Sequence, residues 1–493
     1  MARRTPRLFC SLLLLLLLLA VSCSSARRDG IRTAADLERG NIGVLTGRSN
    51  DTAVRALFPE ADIYYFEDLV SMCMSLQSGH IDAFACMETG VDRLLDRNPG
   101  FRVLEELPEI LDTASVAFRQ DNLLLAGQFN EFLRGIVADG TMDAIRANWL
   151  PAGAPEKHYH PHATEGEPLA VGIEAGQTFF TVISEGEGVG LEPEMMERFG
   201  DFLGRPVRFV EMTNPGMIPA LLSGKVDALV SAISPTQSRS RRVLFSTPYD
   251  ISAMCLIVAG ATEPVRKGFW ASLKENFYET LVADNRYELI LEGLKNTLLI
   301  TLLSVFFGFL LGCLLCWMKR RGPHWMEKFA HGYCEIVEGI PIVVLLLFMF
   351  YVVFATSPLT AIVVAVITYS LHFAAGSAEC LDRSIESVDK GQWEAGKALG
   401  FSRFGTFRYI VAPQALREFL PLFKGKAVGL IENTSIVGFI AIEDMTKVTD
   451  IIRSQTYDSL VPLLIVGVIY FLIARLISVG LDKLGDHLNF KVK

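Results

Sequence analysis

Hydrophobic and polar positions divide the chain into three regions. Arg3, Arg4 and Arg7 precede an apolar run, Leu8 to Val21, that holds eight consecutive leucines. At about 14 residues it falls short of the ~20 that a helix needs to cross a bilayer. A basic start, a short apolar stretch and small residues after it predict an export leader. From residue 31 to about 260 long uncharged runs are missing: Leu169 to Ile173 reads as a buried strand, Gly190 to Met196 opens a helix, and Pro206 to Val210 is the next strand. From Leu294 onward the runs reach membrane length, and helices are expected near 294–318, 337–355, 359–378, 422–441 and 460–481. No re-entrant segment is read between adjacent spans.

Charge orients these spans. Lys319, Arg320 and Arg321 follow the first one, and the basic excess assigns that loop to the cytoplasm. An exported amino terminus, with Lys483, Lys491 and Lys493 inside, requires an odd number of crossings, which five satisfies. The loop 443–458, with Glu443, Asp444, Asp450 and Asp458, then lies outside. Before the first span, Phe269, Trp270, Phe277, Tyr278 and Tyr287 alternate with charges, as in a helix lying at the membrane interface over 263–292.

Composition narrows the picture. The 493 residues allow about three units, and 51% hydrophobic content fits a chain that is part soluble and part membrane. A net charge of −9 argues against a nucleic-acid partner. The nine cysteines are too scattered for a disulfide framework, and Cys313-x-x-Cys316 lies in an apolar helix without further ligands, so no metal site is expected.

The loop between the third and fourth spans is the most informative. Residues 386–421 include Ser387-Val388-Asp389-Lys390-Gly391-Gln392-Trp393-Glu394-Ala395-Gly396-Lys397-Ala398-Leu399-Gly400 and Pro413-Gln414-Ala415-Leu416-Arg417. This resembles the coupling loop of ABC importer permeases, polar amino-acid branch, and the resemblance covers nearly all of 290–490, including Gly293-Leu294-x-x-Thr297-Leu298 and Thr434-Ser435. It implies an all-α, five-helix type I permease over 293–493, working as a pair with two separate cytoplasmic ATPase subunits. Glu394, Ala395, Gly396, Gly400 and Pro413 would serve ATPase coupling, with small residues at 395, 396 and 398 permitting close approach of the motor. A helix near 390–400 should end at Gly400. The chain carries no G-x-x-x-x-G-K-[ST] phosphate loop, so it is not itself the ATPase. Two family positions usually basic are acidic here, Glu338 and Glu432. They either line the translocation path or sit at the water interface.

The exported half carries a second resemblance. Ile218 to Ala228 reads IPALLSGKVDA, followed by Ser234-Pro235-Thr236-Gln237-Ser238-Arg239 and Phe245-Ser246-Thr247-Pro248-Tyr249. These motifs are similar to those of type-3 periplasmic solute-binding proteins, two-lobed α/β domains. Residues 34–150, with Ile42 to Gly47 and Leu76 to Ala83, resemble the remainder of that domain, which ordinarily comes second. One circularly permuted domain is favoured over two truncated ones: lobe 2 with the closing helices over 31–150, a Pro/Gly-rich linker over 151–167, and lobe 1 over 168–262. Within this order lobe 2 runs from about 36 to 112, lobe 1 from about 113 to 260, and one of the two hinge strands is expected to be cut. His158, His160 and His162 in the linker read as solvated.

By the same resemblance Arg239 would clamp a ligand carboxylate, a task suited to a guanidinium fork, with Ser234 and Ser49 as further donors. Gln177 and Asn214 stand where aromatic rings are usual. Met87 replaces the carboxylate that holds the ammonium group, with Glu88 next to it, and Glu174 matches an acidic position of lobe 1. Residues 1–23 read as leader plus lipobox, with Cys23 the lipidated residue. The implied function is the binding and membrane-spanning subunit of an ATP-driven importer in the bacterial inner membrane, its binding part outside. The implied solute is a small polar molecule, an amino acid first, and no cofactor is implied. The rivals are a ligand-gated channel on the same binding fold and an importer of another small carboxylate.

Overall fold

The computed structural model describes residues 31–46, 50–66, 68–150, 157, 159–174, 182–184, 187–212, 214–260, 269–282, 285–355, 357, 359–440, 442–456 and 458–489. The expected leader, Cys23, Ser49 and Gln177 lie outside these residues.

In chain order the elements begin β1 (Asn41–Leu45), α1 (Asn50–Leu57), β2 (Asp62–Phe66), α2 (Leu69–Gln77), β3 (Ala83–Met87), α3 (Val91–Arg97) and β4 (Phe101–Arg119). Next come α4 (Leu123–Ala138), α5 (Thr141–Trp149), β5 (Leu169–Ile173), β6 (Val182–Ser184), β7 (Glu187–Val189), α6 (Leu191–Leu203) and β8 (Val207–Glu211). They continue with α7 (Asn214–Leu222), β9 (Ala228–Ile233), α8 (Gln237–Ser240), β10 (Val243–Phe245) and β11 (Asp250–Ala259). The helical half holds α9 (Phe269–Leu281), α10 (Tyr287–Arg321), α11 (His324–Gly339), α12 (Ile342–Phe348), α13 (Ala361–Glu386) and α14 (Lys390–Ala398). It ends with α15 (Arg403–Thr406), α16 (Ala412–Asn433), α17 (Met445–Thr456) and α18 (Leu460–Asn489). Of the range 263–292, where a helix is expected, Phe269–Leu281 forms α9, and the last residues already belong to α10.

Two compact units result. The first draws on residues up to Pro168, on Gly176–Val207 and on Val230–Lys267; the second on Leu169–Ala175, Arg208–Leu229 and Gly268–Lys493.

In the first unit β1 lies between parallel neighbours β2 and β3. The long strands β4 and β11 run antiparallel from Phe101↔Ala259 to Ala114↔Asp250, and β11 also pairs with β3. Strands from before and after the linker therefore share one sheet. Both long strands are continuous within the sheet. The chain leaves the sheet only beyond Ala259, where the Gly260 N–H donates to the Gly100 carbonyl at 2.6 Å. Leu37, Ile42, Val44, Ala83, Ala85, Met254, Leu256 and Val258 form the core at this end. Burial of such apolar side chains is the main stabilising term.

In the described part of the linker His160 and His162 are exposed, while its backbone and neighbouring side chains are fastened to α6; His158 lies outside the described residues. Lys157 pairs with Glu197 at 3.0 Å, Tyr159 donates its hydroxyl to Asp201, and the N–H groups of His162 and Ala163 donate to the same carboxylate. Arg198 lies over the Tyr159 ring at 4.0 Å and bonds Glu194, which also accepts from the Trp149 indole at 2.6 Å. Helix α6 is thereby pinned by the linker on one side and by α5 on the other.

The second unit contains the membrane helices. Three helices are long and apolar enough to cross a bilayer: Tyr287–Arg321, Ala361–Glu386 and Leu460–His487. Two bent pairs bring the total to as many as five among the described residues. The single helix expected over 337–355 is instead broken, with α11 and α12 bent by 103°. Pro341 is the cause. It lacks an N–H and holds Ile340 in extended backbone (φ −94°, ψ 127°), which ends α11 and starts α12. Helices α10 and α13 meet through glycines: a Cβ at Gly308 would lie 2.8 Å from the Ser370 carbonyl, and one at Gly312 would lie 2.7 Å from the Ser377 Cβ. Such small-residue seams let backbones approach where lipid supplies no hydrophobic drive. At the other end of α10, Gly293 sits against Asp444, Asn296 donates to the Glu443 carbonyl, and Thr297 accepts the Met445 N–H. The Gly-Leu-x-x-Thr-Leu motif is thus the seat of the turn that opens α17. Cys316 and Cys334 are packed among Leu315, Ala330 and Ala374, and no metal-holding cluster occurs among the described residues.

Within the same unit β5 runs parallel to β9 through Val171↔Ala228 and Gly172↔Leu229, with β8 on its other side.

Candidate functional site

The loop after α13 is built to present a surface. Val388 closes the loop's own small core with Val411 and Ala415, and Trp393 stacks on Phe407 at 6.3 Å. Asp389 caps α14 by accepting the Gly391 N–H at 2.6 Å. The helix ends in a Schellman turn: the Gly400 N–H donates to the Lys397 carbonyl and the Phe401 N–H to the Gly396 carbonyl, both at 3.0 Å. Gly400 sits at φ +81°, the left-handed conformation that this turn demands. Gln414, next to Pro413 in the first turn of α16, ties back to Gln392 at 3.2 Å.

Gly396 differs from its expected use. It is buried, and a Cβ there would lie 2.4 Å from the Thr406 Cγ2, so its smallness admits this chain's own α15 rather than another subunit. Glu394, Ala395 and Ala398 are exposed. In the same loop Leu399, Phe404 and Tyr409 are 73%, 70% and 66% exposed, large apolar side chains that the sequence reading did not single out.

Glu338 and Glu432 are not brought together. Glu338, at the end of α11, pairs with Lys426 of α16 at 2.7 Å. Gly376 makes room for that lysine, since a Cβ there would lie 3.0 Å from its Nζ. Glu432 is exposed, six residues further along α16.

In the first unit Ser234 is fully buried and donates to Asp112 Oδ1 at 2.7 Å. Arg239, half-buried on α8, reaches the Ser234 carbonyl at 3.5 Å. Glu88 has an exposed side chain, and its N–H donates to the Ala253 carbonyl at 2.8 Å. In the second unit Glu174 follows β5 and Asn214 opens α7, both half-buried.

The start of α6 and the Phe-Ser-Thr-Pro-Tyr phrase are structural partners. Glu192, fully buried at the start of α6, accepts from the Tyr249 hydroxyl and from the Ala232 N–H. Ala232 stands at φ +43°, a conformation costing about 1–2 kcal/mol for a residue with a Cβ, and these bonds hold it there. Burial first and Glu192 second push the Tyr249 hydroxyl well above its usual range. Tyr249 therefore shapes the backbone leading to Ser234.

Sequence reading missed Asp112, Asp250 and Thr89. Asp250 Oδ2 accepts from the Thr89 hydroxyl at 2.9 Å, and Oδ1 lies 3.5 Å from Arg146. Burial raises the Asp250 carboxyl above its ordinary value, Thr89 and Arg146 oppose the rise, and Asp112 adds to it. The only sequence signal was an acid directly after Phe-Ser-Thr-Pro-Tyr.

Comparison with known proteins adds the following. Residues 304–489 match the binding-protein-dependent transport system inner membrane components, and residues 169–336 match the bacterial extracellular solute-binding proteins, family 3. The chain is 29% identical over 206 residues to a probable amino-acid ABC transporter permease protein, YckA, of Bacillus subtilis (strain 168), spanning 42% of this chain and 91% of that protein. It is 31% identical over 202 residues to the glutamine transport system permease protein GlnP of Escherichia coli (strain K12), spanning 40% of this chain and 91% of that protein. A crystal structure of an amino acid ABC transporter with histidines is 28% identical, covers 45% of this chain and all of that one, and superposes with a TM-score of 0.39.

Proposed function

Since the chain belongs to the binding-protein-dependent inner-membrane components of amino-acid ABC transporters, we propose that it both captures a polar amino acid and carries it across the bacterial inner membrane. It is a multi-pass permease subunit of an ABC importer, and ATP is hydrolysed by a separate cytoplasmic subunit. The observation that carries this reading is the presence of a solute-binding match and a permease match in one polypeptide.

The finer assignments follow from the same reading. Residues 31–150 and 168–262 form one binding domain in permuted order, which the shared sheet of β4, β10 and β11 supports. The domain lies outside the membrane, Cys23 is its lipid anchor, and the membrane part forms five spans and works as a pair of copies. Arg239 takes the solute carboxylate. Leu399, with Glu394 and Ala395, receives the ATPase, and closure of the motor moves α14 and the helices joined to it as a rigid body. Lys426 and Glu338 form a closed pair on the path between α11 and α16, supported by their 2.7 Å contact.

The test uses the full chain with its ATPase subunit in proteoliposomes. Accumulation of a labelled amino acid that requires ATP, without ionic current, is expected. Current evoked by the amino acid without ATP would instead mean a channel.

A further inference from the structure

The sheet brings together two cysteines that stand far apart in the chain. Antiparallel register sets Cys255 of β11 directly opposite Cys86 of β3, with Met254↔Met87 and Leu256↔Ala85 on either side. Two residues along, the Glu88 N–H donates to the Ala253 carbonyl at 2.8 Å. Ladder bonds alternate, so Cys86 and Cys255 are a hydrogen-bonded pair, whose Cα atoms stand ~5.5 Å apart. Residues opposite one another share a face of the sheet. The face is not the one on which Met254, Leu256 and Ala85 join the core of Leu37 and Ile42. Cys255 is buried, at 1% exposure, and Cys86 is half-buried.

A buried cysteine by itself acts as a small apolar side chain. Two in this register can do more, because the Cα atoms of disulfide-linked residues stand roughly 4.4–6.8 Å apart. The Cβ atoms of a facing pair need to close by only about 1 Å to reach bonding range. Export supplies the oxidising surroundings in which such bonds persist. Cys86 lies before the linker and Cys255 after it, and β11 is the last strand before α9. A bond at Cys255 therefore resists peeling of the sheet where the chain leaves for the membrane.

We propose that Cys86 and Cys255 are a modification site, joined as a cross-strand disulfide that ties the segment before the linker to the segment after it. This rests on the reading of the binding domain as lying outside the membrane. The co-reactant is a dithiol carrier protein in its disulfide form. The Cys86 thiolate, the more exposed of the two, attacks the carrier's disulfide; one carrier sulfur leaves as a thiolate and a mixed disulfide remains. The Cys255 thiolate then attacks the Cys86 sulfur, and the second carrier sulfur leaves. Both cysteines are oxidised, the carrier gains two electrons, and the two cysteine protons end on its thiols. Burial first, then Glu106 and Glu88, push the Cys255 thiol up to about 11, which leaves the first attack to Cys86.

The test uses the full chain with a protease site inserted after Gly153, produced in bacterial cells whose thiols are alkylated before lysis. After cleavage, a denaturing gel without reductant should keep most of the chain at full size, and a dithiol reductant should release the amino-terminal fragment. Cys86→Ser or Cys255→Ser should release it without reductant, and Cys73→Ser, on α2, should not. Mass spectrometry of peptides from the unmodified chain, which depends on no variant folding, should find the Cys86 and Cys255 peptides linked. Release without reductant in the parent chain, or a fragment still held in Cys86→Ser, would overturn the disulfide. Glu109→Cys, at an exposed position of β4, reports the side of the membrane through labelling of spheroplasts by an impermeant maleimide, above that of the unmodified chain. Labelling with the two cysteines unlinked would overturn the disulfide and leave the outside placement intact. No labelling with the two cysteines unlinked would overturn the placement and the disulfide with it.

Discussion

Lys447 of α17 and Glu211 of β8 form a buried ion pair, with Nζ 3.0 Å from Oε1 and side chains 11% and 7% exposed. Within the second unit this pair joins a strand of the solute-binding part to a helix of the membrane part, and Lys225 repeats the connection by lying 3.6 Å over the Phe350 ring.

Breaking this pair from one side should be costly. Lys447→Met leaves the Glu211 carboxylate buried without its cation, a change that costs about 3–5 kcal/mol in comparable sites. Glu211→Leu combined with Lys447→Met should recover most of the loss. Thermal unfolding of the full chain in detergent measures both, and equal stability of the single and double variants would contradict the pairing.

Gly396→Ala should disturb the loop from within. The new Cβ would meet Thr406 at 2.4 Å, and overpacking of this kind costs about 1–3 kcal/mol. Thr406→Ala in the same chain removes the obstacle and should restore transport. If Gly396→Ala acted by blocking the ATPase instead, Thr406→Ala would not rescue it. Measuring uptake in the single and double variants distinguishes the two.

Glu338→Gln removes the charge that faces Lys426, and Glu432→Gln alters an exposed side chain. If the pair gates the path, Glu338→Gln should change the uptake rate severalfold, and Lys426→Met should change it in the same direction. Glu432→Gln should leave it within twofold. Uptake insensitive to Glu338→Gln and to Lys426→Met would assign the pair to structure alone.

The linker anchor should respond to pH. Burial raises the Asp201 carboxyl, but the Tyr159 hydroxyl and the N–H groups of His162 and Ala163 outweigh it and hold the group below its ordinary value of 3.8. A carboxylate with a lowered folded value contributes stability above the unfolded value and loses it as pH falls through the folded one. The difference in thermal midpoint between the unmodified chain and Asp201→Asn should therefore be constant from about pH 7 to 5 and shrink below 3.8. A difference unchanged down to about pH 2 would mean that the charge plays no part.

What could be read in advance follows from range along the chain. The end of α14 was legible, since a glycine after a short polar helix calls for a left-handed turn, and Gly400 supplies it. The Gly-Leu-x-x-Thr-Leu phrase could be found but not explained, because its partners Glu443 and Asp444 lie about 150 residues away. Pro341 was visible, yet the apolar run around it hid the break that it causes. Asp112 was hidden for another reason. Register shifts between Ala253 and Met254 and between Leu256 and Ile257 change which residues face each other across β4 and β11. Period-two reading cannot follow such a bulge, so the pairing of Asp112 with Ser252 emerges only from the sheet.

The most direct measurement is ATP-driven amino-acid uptake by proteoliposomes holding the full chain and its ATPase, with the exposed loop made acidic by Leu399→Asp and Phe404→Asp. Amino-acid binding to this variant should equal that of the unmodified chain, while ATP-dependent accumulation should fall at least tenfold. Accumulation at the normal rate, with binding intact, would contradict the claim that a separate motor drives this permease through α14 and its neighbours.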